Sequence, residues 1–144
     1  MKIDLHTHSN KSDGTMSPTE LVQHAIINGI TVLGLTDHDT VAGWSEAIAS
    51  IRGDFKIALG AEISCLNEDH KSIHMLGLLF DKDNQSLQEV LESSRDDRVP
   101  RMKKMVELMA KDGIKITFEE VLQHQPAGAT LGRPHLADAL VAKG

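Results

Sequence analysis

The sequence has 144 residues, 40% hydrophobic and 25% charged, with a formal net charge of −6. That composition describes one soluble globular domain with a core of ordinary size. It excludes a transmembrane helix, since no apolar run approaches the roughly 18 residues needed, and it argues against duplex DNA, whose binding relies on clustered Lys and Arg.

Residues 2–6 place apolar Ile3 and Leu5 in alternation and run into a polar cluster, the pattern of a strand feeding a functional loop. The chain starts on this strand without a charged leader and long apolar stretch, which points to the cytoplasm. Ser17, Pro18 and Glu20 form a capping-box pattern ahead of the apolar stripe Leu21, Val22, Ala25 and Ile26, and Gly29 closes the helix. Residues 31–35 form a second short apolar strand, followed by Thr36-Asp37-His38-Asp39. A helical stretch then passes through Trp44, Ile48 and Ile51, read as core, to Gly53.

A third strand over residues 55–59 leads into Gly60-Ala61-Glu62, which places Glu62 after its end. A polar loop over 67–72 separates it from a fourth strand over 73–80. The β-α-β-α-β order predicts parallel strands joined by crossover helices. Cys65, the single cysteine, has no disulfide partner and reads as a small apolar residue near a strand end.

Beyond Asp81 the pattern turns helical. Leu87, Val90 and Leu91 form one stripe, and Met102, Met105, Val106 and Met109 form another that ends at Gly113, with Pro100 expected to break or kink the chain between them. The Met stripe reads as core packing. Arg95, Arg98, Arg101, Lys103 and Lys104 make the only dense basic stretch, taken by itself as a solvated helix face. Thr117 and Glu120 suggest another capping box. A Gly/Pro/Ala loop over 126–132 leads to Pro134 and a last helical pattern ending at Gly144.

His6 and His8 are two apart, so on a strand both imidazoles leave one face and reach one ion. Alone the pair is a weak signal. Asp4 before it, Asp13 after it, His38 beyond the second strand and Glu62 beyond the third put ligand-type residues at three successive strand ends. In parallel α/β architectures those ends converge on one site. His74 interrupts an apolar strand, where an imidazole needs a partner and a metal supplies one. His24, His70 and His124 receive no role. With bound metal ions as the largest local charges, an acidic chain is able to take an anionic substrate.

Asp-Leu-His-Thr-His, Leu-Thr-Asp-His-Asp-Thr, Gly-Ala-Glu-Ile-Ser and a later strand histidine together resemble the PHP family, named for polymerase and histidinol phosphatase. Gly132-Arg133-Pro134-His135 resembles a further motif of its branch containing bacterial 3′,5′-nucleotide bisphosphate phosphatases and 5′-to-3′ exonucleases acting on short RNA. The resemblance implies a distorted (β/α)7 barrel, present here as an incomplete N-terminal part. Residues 1–80 supply the N-terminal βα units, 81–125 a helical insertion and 126–144 a truncated return to the barrel.

The resemblance also implies two to three divalent ions, Mn, Fe or Zn. His6, His8 and Glu62 would hold one, and Glu62, His74 and His135 a second. Asp13 and His38 would belong to the third, with Asp4, Asp37 and Asp39 orienting imidazoles from behind. Arg133, Arg98 and Arg101 would bind substrate phosphate, and Arg133 and His38 would assist catalysis.

The expected reaction is hydrolysis of phosphate esters of nucleotides or short oligonucleotides through a metal-bridging hydroxide, on ions about 3.5–4 Å apart. The expected partner is a small phosphorylated substrate, neither duplex DNA nor membrane. The alternatives are a small-metabolite phosphatase of the histidinol-phosphate kind and a non-catalytic metal-binding fragment. The family's closing Asp-x-His motif has no counterpart after His135, and four strands do not close the barrel. A truncated piece, a gene fragment or one half of a pair is therefore expected, with an open sheet edge prone to aggregation.

Overall fold

A computed structural model describes residues 1–144. The elements run β1 (Ile3–Thr7), α1 (Pro18–Ile27), β2 (Val32–Leu35), α2 (Trp44–Ala49), β3 (Lys56–Leu66), β4 (Ser72–Leu78), α3 (Gln85–Lys111), α4 (Phe118–Gln123) and α5 (Arg133–Lys143). The strands form one curled sheet, a half-barrel in the order β1-β2-β3-β4. No helix is long and apolar enough to cross a membrane.

The β1–β2 and β2–β3 pairs are parallel, as the alternating pattern of elements requires. The capping box at Ser17 forms as expected. Ser17 Oγ accepts the Glu20 N–H at 3.2 Å, and Glu20 Oε2 accepts the Ser17 N–H at 2.8 Å. Helices α1 and α2 press Val22, Ala25, Trp44 and Ala47 onto Leu33 and Leu35 of β2, forming one core. The Trp44 indole N–H donates to the Gly60 carbonyl at 3.0 Å, so its one polar atom is satisfied inside. Ile48, expected in the same core, is 50% exposed because α2 ends at Ala49 and its outer side faces solvent.

The third strand is longer than expected and corrects the position of Glu62. Residues Lys56–Leu59 pair with β2, and from Gly60 onward the strand pairs antiparallel with β4, with Glu62 opposite Leu76 and Ser64 opposite His74. Glu62 therefore lies inside β3, just past a switch of partner. The switch needs glycine: a Cβ on Gly60 would collide with the Gly77 carbonyl oxygen of β4.

A single helix, α3, covers both stripes expected beyond Asp81 and passes through Pro100 without a break. Pro100 and Asp96, whose carbonyl loses its helical donor, are both exposed, on a face where the unpaired carbonyl is open to solvent rather than buried. Met102 packs with Ile116, Val121, Leu131, Leu136 and Ala139 in a second core among α3, α4 and α5, and Met105 and Met109 pack against it. The Met stripe is core, as its spacing implies.

Candidate metal centre

Each donor reaches the centre for a local reason. The β1–β2 register shifts between Asp4 and Thr7, and an irregularity of this kind re-aims side chains. His6 lies in that irregular stretch and His8 follows the strand. The loop after His8 is held by Asp37, whose Oδ1 accepts the Ser9 N–H and the Ser12 hydroxyl, and whose Oδ2 accepts the Ser9 hydroxyl, each at 2.7 Å. Beyond β2, His38 makes an isolated parallel bridge to Glu62. His74 comes from β4.

Glu62 is the hub. Its Oε2 lies 2.9 Å from His6 Nε2, 2.9 Å from His8 Nε2 and 3.6 Å from His38 Nδ1, and its Oε1 lies 2.7 Å from His74 Nδ1. The His6 and His8 Nε2 atoms are 3.1 Å apart. Asp13 closes the far side, with Oδ1 3.4 Å from His8 Nδ1 and Oδ2 3.3 Å from His38 Nε2. Three groups of convergent donors result: His6, His8 and Glu62; His8, Asp13 and His38; His38, Glu62 and His74.

This donor set fits divalent ions. Separations of 2.7–3.1 Å between donor atoms match the edges of a coordination polyhedron with bonds of roughly 2.0–2.2 Å. His38 Nδ1 is buried without a hydrogen-bond partner, as expected of a nitrogen kept for a ligand. Imidazole and carboxylate donors without thiolate suit borderline and hard ions.

The electrostatics favour the ligating forms. Burial pushes the His8 pKa down, and the neighbouring His38 lowers it further against the pull of Asp13 and Glu62, which keeps the ring neutral at pH 7. Burial would raise the Asp13 carboxyl, but hydrogen bonding and charge from His38, with His8 and Arg98, bring it down to about 2. In Glu62 the burial penalty is likewise outweighed by His6, His38, His74 and His8, and its pKa is lowered.

His6, His8, Asp13, His38, Glu62 and His74 thus come together, and His135 does not join any of the three groups. His135 is buried at the start of α5, where its Nδ1 accepts the Gly132 N–H at 3.0 Å, and burial lowers its pKa. Asp4, Asp37 and Asp39 do not bond to imidazoles. Asp4 Oδ1 accepts the His6 backbone N–H at 3.2 Å, Asp37 anchors the serine loop, and Asp39 binds Ser64 and Arg98. The serines were missed: Ser9 and Ser12 follow the histidine motif and Ser64 closes Gly-Ala-Glu-Ile-Ser, so the only signal was their place beside ligand residues.

A cavity of about 530 Å³ opens beside the cluster, with Asp13, His38 and His74 on one side and Arg101, Arg133 and Met105 among its other walls. Arg101 and Arg133 are exposed and make no ion pair or side-chain hydrogen bond. Arg98, expected beside them at the substrate phosphate, also lines the cavity, with its guanidinium bonded to Asp39, Ser64 and the Leu131 carbonyl.

The chain belongs to the PHP domain family, whose model matches residues 4–137. It is 41% identical over 119 residues to a 5′-3′ exoribonuclease of Haemophilus influenzae, covering 82% of this chain and 43% of that protein. It is 34% identical over 143 residues to a 3′,5′-nucleoside bisphosphate phosphatase of Chromobacterium violaceum, covering 99% and 50%. A crystal structure of a candidate metal-dependent phosphoesterase from Bifidobacterium adolescentis superposes with a TM-score of 0.88 at 39% identity, covering 99% of this chain and 50% of that one. The chain spans about half the length of the curated relatives it matches.

Proposed function

We propose that this chain carries the metal-binding half of a cytoplasmic phosphoesterase that hydrolyses phosphate esters of nucleotides or short RNA, with residues 81–125 as an insertion that walls the substrate cavity. The observation that carries the reading is Glu62, contacted by His6, His8, His38 and His74 beside a cavity bearing two unpaired guanidinium groups. The relatives' activities on nucleoside bisphosphates and RNA favour nucleotides over other phosphate esters.

His6, His8, Asp13, His38, Glu62 and His74 would hold two to three ions, with Mn, Fe and Zn all suited to the donors. When bound, such ions supply Lewis acidity that activates water and neutralises phosphoryl charge. The chain's own groups do the rest. Arg101 and Arg133 are placed to grip phosphate oxygens in pairs, each offering a planar fork of N–H donors. With Nδ1 given to an ion, His38 would have only Nε2 left to hold a proton near the leaving oxygen. Met102, Met105 and Leu131 form an apolar wall fit for a nucleoside.

The test is phosphate release with added manganese from 3′,5′-bisphosphonucleosides, short 5′-phosphorylated RNA and histidinol phosphate. Preference for the first two, abolished in Glu62→Ala, supports the proposal. Preference for histidinol phosphate, or turnover undiminished in Glu62→Ala, contradicts it.

A further inference from the structure

The Arg98 guanidinium joins three parts of the chain. Its Nε and Nη2 lie 2.9 and 2.7 Å from Asp39 Oδ2, its Nη2 donates to Ser64 Oγ at 2.8 Å, and its Nη1 donates to the Leu131 carbonyl at 3.2 Å. The Asp39 carboxylate also accepts the Ser64 N–H at 2.7 Å and hydroxyl at 2.8 Å. Arg95 adds a bond from Nη1 to the Asp39 carbonyl at 2.6 Å. The Asp39 side chain is 0% exposed and that of Arg98 15%.

Asp39 has a left-handed φ of 52°, a conformation that a non-glycine residue keeps only where its surroundings over-determine it. Its N–H donates to the Glu62 carbonyl at 3.0 Å. The pair therefore sits between two metal-centre donors. His38 immediately precedes Asp39, and Glu62 lies two residues before Ser64 on β3. Removing Arg98 would leave a buried carboxylate without its counter-charge at the turn that aims His38, and such a group relaxes toward water.

We propose that Arg98 is a positioning residue of the metal centre. By clamping Asp39 it holds the turn that presents the His38 imidazole to Glu62, so helix α3 sets metal affinity as well as walling the cavity. Its neighbour one helical turn on, Arg101, has no such partners and faces the cavity freely. The proposal rests on reading the donor cluster as a metal centre, not on the identity of the substrate.

The experiment compares manganese affinity of the full chain, by titration with electron paramagnetic resonance of free Mn²⁺, for wild type, Arg98→Met, Arg98→Lys and Arg101→Met. Loss of a residue that orients ligands typically weakens metal binding by 10–100-fold. That weakening is expected for Arg98→Met and also for Arg98→Lys, because an ammonium does not reproduce a planar fork shared by three elements. Arg101→Met is expected to keep wild-type affinity. The His38 imidazole resonances of metal-free protein are expected to move in both Arg98 variants.

Wild-type manganese affinity in Arg98→Met, with a raised KM for phosphate release, would make Arg98 a substrate contact and overturn the proposal. So would affinity that returns to wild type once measured well below a lowered unfolding midpoint. Should Arg98→Met fail to fold, Ser64→Ala keeps the ion pair and removes one bridging hydroxyl. A smaller weakening of the same sign then supports the clamp, and unchanged affinity overturns it. Manganese binding that depends on Arg98 in a protein without turnover on phosphate esters sinks the proposed activity and leaves the clamp standing. Wild-type protein that binds no manganese overturns both.

Discussion

Asp37 and Ser12, 25 residues apart, meet through a 2.7 Å hydrogen bond that fastens the loop bearing Asp13 to the end of β2. With two further bonds from Ser9, this buried carboxylate has three donors and holds the stretch that follows His8. Hydrogen bonds to charged groups are worth about 1.5–3 kcal/mol each, but not additively. Asp37→Ala is therefore expected to cost roughly 3 kcal/mol, a fall in Tm of about 10 °C. Differential scanning calorimetry of the metal-free chain measures it, with Ser12→Ala expected to cost only about 1 kcal/mol.

Gly14 occupies the same loop. A Cβ there would collide with the His8 carbonyl oxygen, and backbone cannot yield as a flexible side chain does. Gly14→Ala is expected to shift His8 and Asp13 and to weaken manganese binding by at least about 10-fold, comparable to losing an orienting contact. Far-ultraviolet circular dichroism should show the helices intact, since the core of α1, α2 and β2 does not include this loop.

The pH dependence of the metal-free chain follows from depressed pKa values. His8 and His135 lie below 6.5 in the folded state, so the unfolded chain takes up protons first as pH falls. Stability is then fully present above about 6.5 and is lost as pH drops toward the folded values. Asp13, lowered from 3.8 to about 2, adds a second loss across that interval. Urea midpoints from pH 8 to 3 are expected to hold level to near pH 7 and then to fall. A midpoint that rises between pH 7 and 5 contradicts the sign.

The outer strands of the sheet are β1 and β4. Ile73 and Met75 on β4 are 46% and 56% exposed, so an apolar row stands beside unpaired backbone. Lysine on such an edge blocks strand addition. Met75→Lys is expected to lower light scattering of the concentrated chain while leaving manganese affinity unchanged.

Much of this was legible beforehand because periodicity and caps are local. The Ser17 capping box, the Met stripe and the strand-end histidines each follow from side chains a few residues apart. The extension of β3 past Gly60 was not legible, since it depends on Gly77 opposite and hence on a pairing distant in sequence. Pro100 within α3 also ran against local rules, and the exposure that makes it tolerable is a tertiary property. In the site, ligand types were readable as residues, but their supports were not. Asp37 and Asp39 serve serines and an arginine rather than imidazoles, partners that meet only in the tertiary fold.

The most direct test of the metal centre is the number of manganese ions retained per chain after dialysis, by elemental analysis, for wild type and Glu62→Gln. Glu62 belongs to two of the three donor groups. Two or three ions are expected in wild type and no more than one in a folded Glu62→Gln. A folded wild-type chain that retains none, or a Glu62→Gln chain that retains all of them, would rule out this metal centre.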